Sequence, residues 1–250
     1  MSGHSKWSTI KRKKGALDAK RSKVFTKIIK EITVAVREGG PDPDGNPRLR
    51  LAIQNSKAAN MPKDNVERAI KKGSGADSDA YHEVSYEGYA SHGVAVFVEC
   101  LTDNLNRTIQ NVRSAFSKHG GSLGTKGSLE FIFDRKGVFI IKLSDNLTLN
   151  EDDFTLEMID AGAEDVEFEE EYVTVYCAME DFGSLQKKTE ELKLEVENAD
   201  LQRIPKTTVA LDAEALKKVM KLIDTLEDDD DVQKVYHNIE LNEEAMAALS

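Results

Sequence analysis

"GVFIIKL" (Gly137–Leu143) opens the stretch that decides the fold, which continues to Leu211 and alternates short segments of two periodicities. "GVFIIKL", "DVEFEE" (Asp165–Glu170) and "YVTVYCA" (Tyr172–Ala178) are brief runs rich in β-branched and aromatic residues, the composition of strands. A further strand is expected near "DLQRIPKTTVAL" (Asp200–Leu211). Between them, "DDFTLEMIDAGA" (Asp152–Ala163) and "FGSLQKKTEELKLE" (Phe182–Glu195) read as helices. The order is βαββαβ, the ferredoxin-like plan. Asn150 is placed to cap the first of these helices, ahead of acids that complement its dipole.

Upstream, "HEVSYEGY" (His82–Tyr89) and "GVAVFVECL" (Gly93–Leu101) read as two strands around a turn at Ala90–Gly93. The helix "NLNRTIQNVRSAFSKHGG" comes next, with Ile109, Val112, Ala115 and Phe116 inward, and then a strand in "SLEFIFD" (Ser128–Asp134). Downstream, "DAEALKKVMKLIDTLEDDDDVQKVYHNI" supplies one more helix and strand. These complete the upstream unit if the βαββαβ set is inserted within it.

The N-terminal part is helical. From Ala16 to Glu38, Val24, Phe25, Ile28, Ile29, Ile32, Ala35 and Val36 recur at three- and four-residue steps, while Lys20, Lys23, Lys27 and Lys30 fall on the opposite face. "GGPDPDGNP" is turn chemistry, and Pro47 suits the first turn of a second helix. "NMPKDNVERAIKKG" reads as a third, with Pro62 in its first turn and Gly73 capping its end. The expected fold class is therefore multidomain α+β: a small N-terminal helical bundle plus two ferredoxin-like-type α+β domains, the second inserted into the first. The boundaries are a basic helical domain at 1–75, a discontinuous domain at 80–134 and 210–240, the insert at 135–209, and a tail at 241–250.

Charge divides along the same line. The formal net charge is −11. Residues 1–75 nevertheless hold 18 Lys and Arg against 7 Asp and Glu, a net of +11, which leaves −22 for the remainder. Such asymmetry points to a polyanion met by one part of the chain only. No apolar core follows the early lysines, so no secretory signal is expected, and no run approaches a membrane span. A basic, acid-poor start would suit an organellar transit peptide, but here the basic run passes unbroken into a helix. Cys100 and Cys177 lack any CxxC spacing and lie on apolar strands, as inert buried thiols do, and a reducing, cytoplasmic setting fits.

Several motifs resolve into structure. "DFG" (Asp181–Gly183) lacks every companion motif of a kinase and reads as a helix start. "GGSLGTKGS" (Gly120–Ser128) lacks the order of a phosphate-binding loop. The histidines are scattered, and "EDDDD" (Glu227–Asp231) lacks calcium-loop spacing, so it reads as a solvated acidic turn. No metal, cofactor or catalytic grouping is expected.

The candidate site is the basic segment: Lys6, Trp7, Lys11, Arg12, Lys13, Lys14, Lys20, Arg21, Lys23 and Lys27, with Arg48, Arg50, Lys63, Asn65, Arg68, Lys71 and Lys72 as secondary contacts. Lysine gives point-charge contacts to backbone phosphates and carries little base readout. Trp7 is placed either to stack on a base or to pin the segment against the helices.

"GHSKWSTIKRKKGALDAKRSKVFTKIIKEI", "NPRLRLAIQNSKAANMPKDNVERAIKKG", "YEGY", "VECLTDNLNRT", "GSLEFIFDRKG" and "DDVQKVYHN" occur in this order through Ile239, and together they resemble the YebC/PmpR family. After "YEGY" this chain has "ASHG" where the family has a turn rich in glycine and proline. The resemblance implies a helical domain followed by two α+β domains. It also implies a cytoplasmic DNA-binding transcriptional regulator; relatives include a mitochondrial translational activator, and some members act on the ribosome at proline-rich stalls. The main expectation is thus a non-enzymatic DNA-binding regulator. The alternative is a ribosome-associated translation factor gripping ribosomal RNA, with "NMPKDN" as a probing loop. A ligand-sensing module, or one meeting a protein partner through the acidic α+β domains, is the third.

Overall fold

The computed structural model describes residues 17–75, 81–143, 150–169 and 171–242 together with Ala245, with only the backbone described over 17–21. Three helices come first: α1 (Leu17–Gly39), α2 (Pro47–Ala58) and α3 (Lys63–Ser74). Their core is Ile32, Ala35, Val36, Leu49, Ala52, Met61, Val66 and Ala69. Val24, assigned to the same stripe by its spacing, is 44% exposed at the edge of this core. Asn46 organises the turn between α1 and α2. Its Oδ1 accepts from Leu49 N as the cap of α2, and its Nδ2 donates to the carbonyls of Ala35 and Gly40.

Gly73, expected as a helix stop, lies inside α3 and is buried. A Cβ there would come to 2.8 Å of the Thr33 carbonyl oxygen and 2.9 Å of Val36 Cβ. The glycine permits close crossing of α3 over α1, and the helix ends one residue later at Ser74 with Gly75 as its cap. Pro62 is the residue before α3, in extended geometry, and not part of its first turn.

The next elements are β1 (His82–Tyr89), a 3-10 turn at Ser91–Gly93, β2 (Ala95–Thr102), α4 (Leu105–Lys118) and β3 (Ser122–Leu123). The hairpin closes through "ASHG", where His92 and Gly93 both take positive φ and Ala90 N donates to Val94 O. After these come β4 (Phe133–Lys142), α5 (Glu151–Asp160), β5 (Ala163–Phe168), β6 (Tyr172–Cys177), α6 (Phe182–Glu191) and β7 (Val196–Pro205). The chain ends its described part with α7 (Ala213–Glu227) and β8 (Val232–His237). Among the described residues there are seven α-helices and two four-stranded antiparallel sheets.

The strand order β5-β6-β4-β7 is that of the ferredoxin-like plan. The other sheet, β3-β1-β2-β8, is left after β3 and rejoined only at β8, so the ferredoxin-like set lies between its strands in the chain. Asn150 caps α5 by accepting from Asp152 N, and "DFG" opens α6. The last strand of the set begins at Val196, four residues before the expected start.

The strand expected in "SLEFIFD" does not form. Residues 126–132 run in successive turns, and β4 begins only at Phe133. The cause is Glu87, a buried carboxylate on β1. Its Oε1 accepts from Gly127 N and its Oε2 from Leu129 N, both at 2.7 Å, so these amides are withdrawn from any ladder. Gly127 takes φ +87°, which a strand excludes. The edge partner of β1 is instead the short β3, through Gly88 and Tyr89.

Polar contacts join the parts. Arg203 on β7 pairs with Glu99 on β2 at 3.0 Å and lies 3.8 Å over the Phe97 ring. Lys234 on β8 meets Asp200 at 2.7 Å. Asn55 on α2 exchanges two hydrogen bonds with the backbone of Ala199, as a neighbouring strand would.

Candidate nucleic-acid interface

Lys23, Lys27 and Lys30 stand at i, i+4 and i+7 on α1, one face of a helix with 3.6 residues per turn. That face meets the C-terminus of α7, where the last carbonyls of the helix lack intrahelical donors and carry the negative end of its dipole. Lys23 Nζ lies 2.8 Å from Asp228 Oδ1 and 3.1 Å from the Asp228 carbonyl. Lys27 Nζ donates to the Glu227 carbonyl at 2.9 Å. Lys30 Nζ reaches the Asp230 carbonyl at 2.7 Å, Asp231 Oδ1 at 3.0 Å and the Leu101 carbonyl at 3.3 Å.

Asp231 is the node of this contact. Besides Lys30, it accepts from Arg107 at 2.7–3.0 Å and from the Thr108 hydroxyl at 3.0 Å. Burial by itself raises its pKa, but the hydrogen bonds from Arg107, Lys30 and Thr108 outweigh that and hold the carboxyl below its ordinary range. The turn is also braced from within: Asp231 N donates to Asp229 Oδ1, and Asn111 Nδ2 donates to Asp229 Oδ2. A cleft of about 470 Å³ opens beside the contact, lined by Thr26, Tyr81, Asn111 and the turn.

Two expectations are corrected here. Lys30 does not face solvent; its side chain is 11% exposed against an Asp231 that is 4% exposed. "EDDDD" is not simply a solvated turn, because it receives three lysines of the helical part and Arg107. Lys30, Arg107, Thr108 and Asp231 were all missed as a group. The available signal was the lysine spacing on α1 set beside a run of acids at a helix end. Nothing in either segment identified the other as its neighbour.

The exposed cations lie elsewhere on the helices. On α3, Lys63, Arg68, Lys71 and Lys72 are exposed, with the Lys63 side chain at 88%. Lys63 has only a loose contact with Glu67 at 3.6 Å. Arg68 hydrogen-bonds Asn65 Oδ1 and the Asp64 carbonyl, which tethers its guanidinium to its own helix. Lys72 lies 6.0 Å from the Tyr81 ring centre. Arg48 is differently placed, since Glu31, Glu38 and Glu83 all pair with it. Burial opposes its charge, yet the hydrogen bonds with Glu31 and Glu83 prevail and hold its pKa above the ordinary value. Arg50 donates to the Asp44 carbonyl at 3.3 Å. Lys20 and Arg21 lie on the first turns of α1, and Lys6, Trp7, Lys11, Arg12, Lys13 and Lys14 lie outside the described residues.

Both thiols are free and buried. Burial raises Cys100 to about 12, with Asp229 and Asp231 adding to the shift, and raises Cys177 to about 11, with Asp181 and Glu164 adding. His237 is fully buried and pushed down to about 4 by that burial, so it is neutral at ordinary pH. Among the described residues, no helix is long and apolar enough to cross a membrane.

The profile for the TACO1/YebC protein N-terminal domain matches residues 5–76, and that for the TACO1/YebC second and third domain matches residues 81–239. A relative from Amoebophilus asiaticus, named probable transcriptional regulatory protein, is 59% identical over 98% of this chain and its own full length. One of the same name from Rubrobacter xylanophilus is 50% identical over the full length of both. The crystal structure of a conserved hypothetical protein, Aq1575, from Aquifex aeolicus aligns with a TM-score of 0.81 and 45% identity, covering 90% of this chain and 93% of that one. Profiles spanning the helical part and both sheets, together with relatives alike from end to end, show that this chain belongs to the TACO1/YebC family.

Proposed function

We propose that this protein is a nucleic-acid-binding regulator of gene expression that grips the phosphate backbone of DNA with its helical part. The observation that carries this reading is the division of charge, +11 over residues 1–75 against −22 over the rest. The exposed cations of α3 lie within the basic part. A polyanion is attracted to the helices and repelled by the sheets, which confines contact to one end of the chain. Relatives named probable transcriptional regulatory protein support the choice of a regulator. Phosphate contacts from lysines fix position and orientation, and base discrimination falls to few residues, with Trp7 among them.

The test is binding of a promoter duplex and a scrambled duplex at physiological salt, with log affinity followed against log salt. A regulator of transcription prefers the promoter by about a thousandfold or more. Equal, weak binding to both, with co-sedimentation of the protein with ribosomes, would replace DNA by ribosomal RNA as the partner. The solvent exposure of Pro62 and Lys63 at the turn into α3 favours that second reading, since both belong to the "NMPKDN" segment. In-cell crosslinking followed by sequencing of the attached nucleic acid decides between the two.

A further inference from the structure

The lysines of α1 have two classes of anion available to them. One is the phosphate of a nucleic acid, and its relevance rests on the proposed function of the helical part. The other is the molecule's own acidic turn. We propose that the turn Glu227–Asp231 and nucleic-acid phosphates compete for Lys23 and Lys27, so that the docked position of α1 is a self-inhibited form.

The geometry grades along the helix. At one end, Lys30 and Asp231 are buried together, and Arg107 and Thr108 hold the same carboxylate. At the other, the Lys23 side chain is 39% exposed and that of Asp228 is 70% exposed. An exposed ion pair is weak and screened by salt, so its partners exchange readily. Lys27, between them, donates to the Glu227 carbonyl. A backbone phosphodiester carries the same single negative charge as the Asp228 carboxylate and accepts at the same distance, so exchange needs no new donor on α1. The turn keeps its shape when the lysines leave, because Asp229 braces it through Asp231 N and Asn111. Lys30 acts as the pivot, and Lys23 and Lys27 act as the releasable end.

Competition has a signature that ordinary repulsion lacks. Removing Lys23 and Lys27 matters little while the turn occupies them and matters much once the turn is neutralised. The experiment is duplex and ribosomal-RNA-fragment binding by fluorescence anisotropy across salt, with four proteins: wild type, K23A/K27A, D228N/D230N, and the combination of all four substitutions. The variant D152N/D153N, altered at exposed acids on α5, controls for the same change in net charge. Asp231 is retained in every protein, and thermal unfolding of each confirms that it is folded. D228N/D230N is expected to bind about tenfold tighter, with a salt slope steeper by roughly two. D152N/D153N is expected to change affinity by less than about threefold. K23A/K27A is expected to cost under about twofold in the wild type and about tenfold in the D228N/D230N background. An equal cost in both backgrounds overturns the competition while leaving nucleic-acid binding intact, as does an equal gain from the two neutralised pairs. Absence of binding by the wild type at low salt removes the proposed function itself, and the competition with it.

Discussion

Lys30 on α1 and Lys63 on α3 are the same residue type in the same basic part of the chain, yet one is buried on a carboxylate and the other is almost wholly solvated. The difference is set by what stands opposite each helix. Facing α1 is the C-terminus of α7 with its run of acids, which absorbs three lysines. Facing the outer side of α3 is solvent. A net of +11 over residues 1–75 therefore overstates the positive charge this region offers to a partner, since Lys23 and Lys30 pair with Asp228 and Asp231 and Arg48 with Glu83, all outside that span.

The strongest way to break the contrast is Asp231→Asn. It leaves Lys30 and Arg107 facing a neutral amide, and loss of one partner from a buried charged group costs about 3–5 kcal/mol. Chemical denaturation should show that loss, and a change below about 1 kcal/mol would mean that the network is not a stability element. Sharpening the other side requires K63A/R68A/K71A on the exposed face of α3. These changes should weaken nucleic-acid binding roughly tenfold to a hundredfold and flatten the salt slope by about 0.9 per charge removed. Folding stability should stay within about 0.5 kcal/mol per site.

Gly73→Ala tests how the two helices are held together. The added methyl meets the Thr33 carbonyl and Val36, and overpacking of this kind costs about 1–3 kcal/mol. An unchanged denaturation midpoint would refute the close crossing. Acid has a smaller effect. Because the Asp231 pKa is lowered in the folded state, its stabilising contribution is complete above the ordinary carboxylate range of about 4 and is lost as pH falls through the lower folded value. The α1–α7 contact should thus be indifferent to pH between about 5 and 8, and Asp231→Asn should remove part of the stability lost below about 4. Smallest of all is Asp228→Asn alone, at about 0–1 kcal/mol by thermal unfolding, since that pair is exposed.

Much of the fold follows from local pattern. The ferredoxin-like set, the helical bundle and the return of α7 and β8 are each visible as periodicity with capping signals, because the apolar face of each element is written within its own residues. Asn150 was readable because a cap acts within one turn, and "DFG" opens a helix although Asp181 makes no side-chain capping hydrogen bond there. The failures share a different cause. "SLEFIFD" has strand composition, and a carboxylate some forty residues earlier in the chain, Glu87, takes the amides a strand would use. Gly73 looks like a stop until α1 lies across it.

By itself, then, the sequence determined most of the helices and strands, their order, and where the positive charge is concentrated. Those properties depend on neighbours a few residues apart. Only the tertiary structure decided which of those charges are available, because a lysine's free energy depends on the nearest anion in space. Lys30 and Asp231 find each other across two hundred residues of chain.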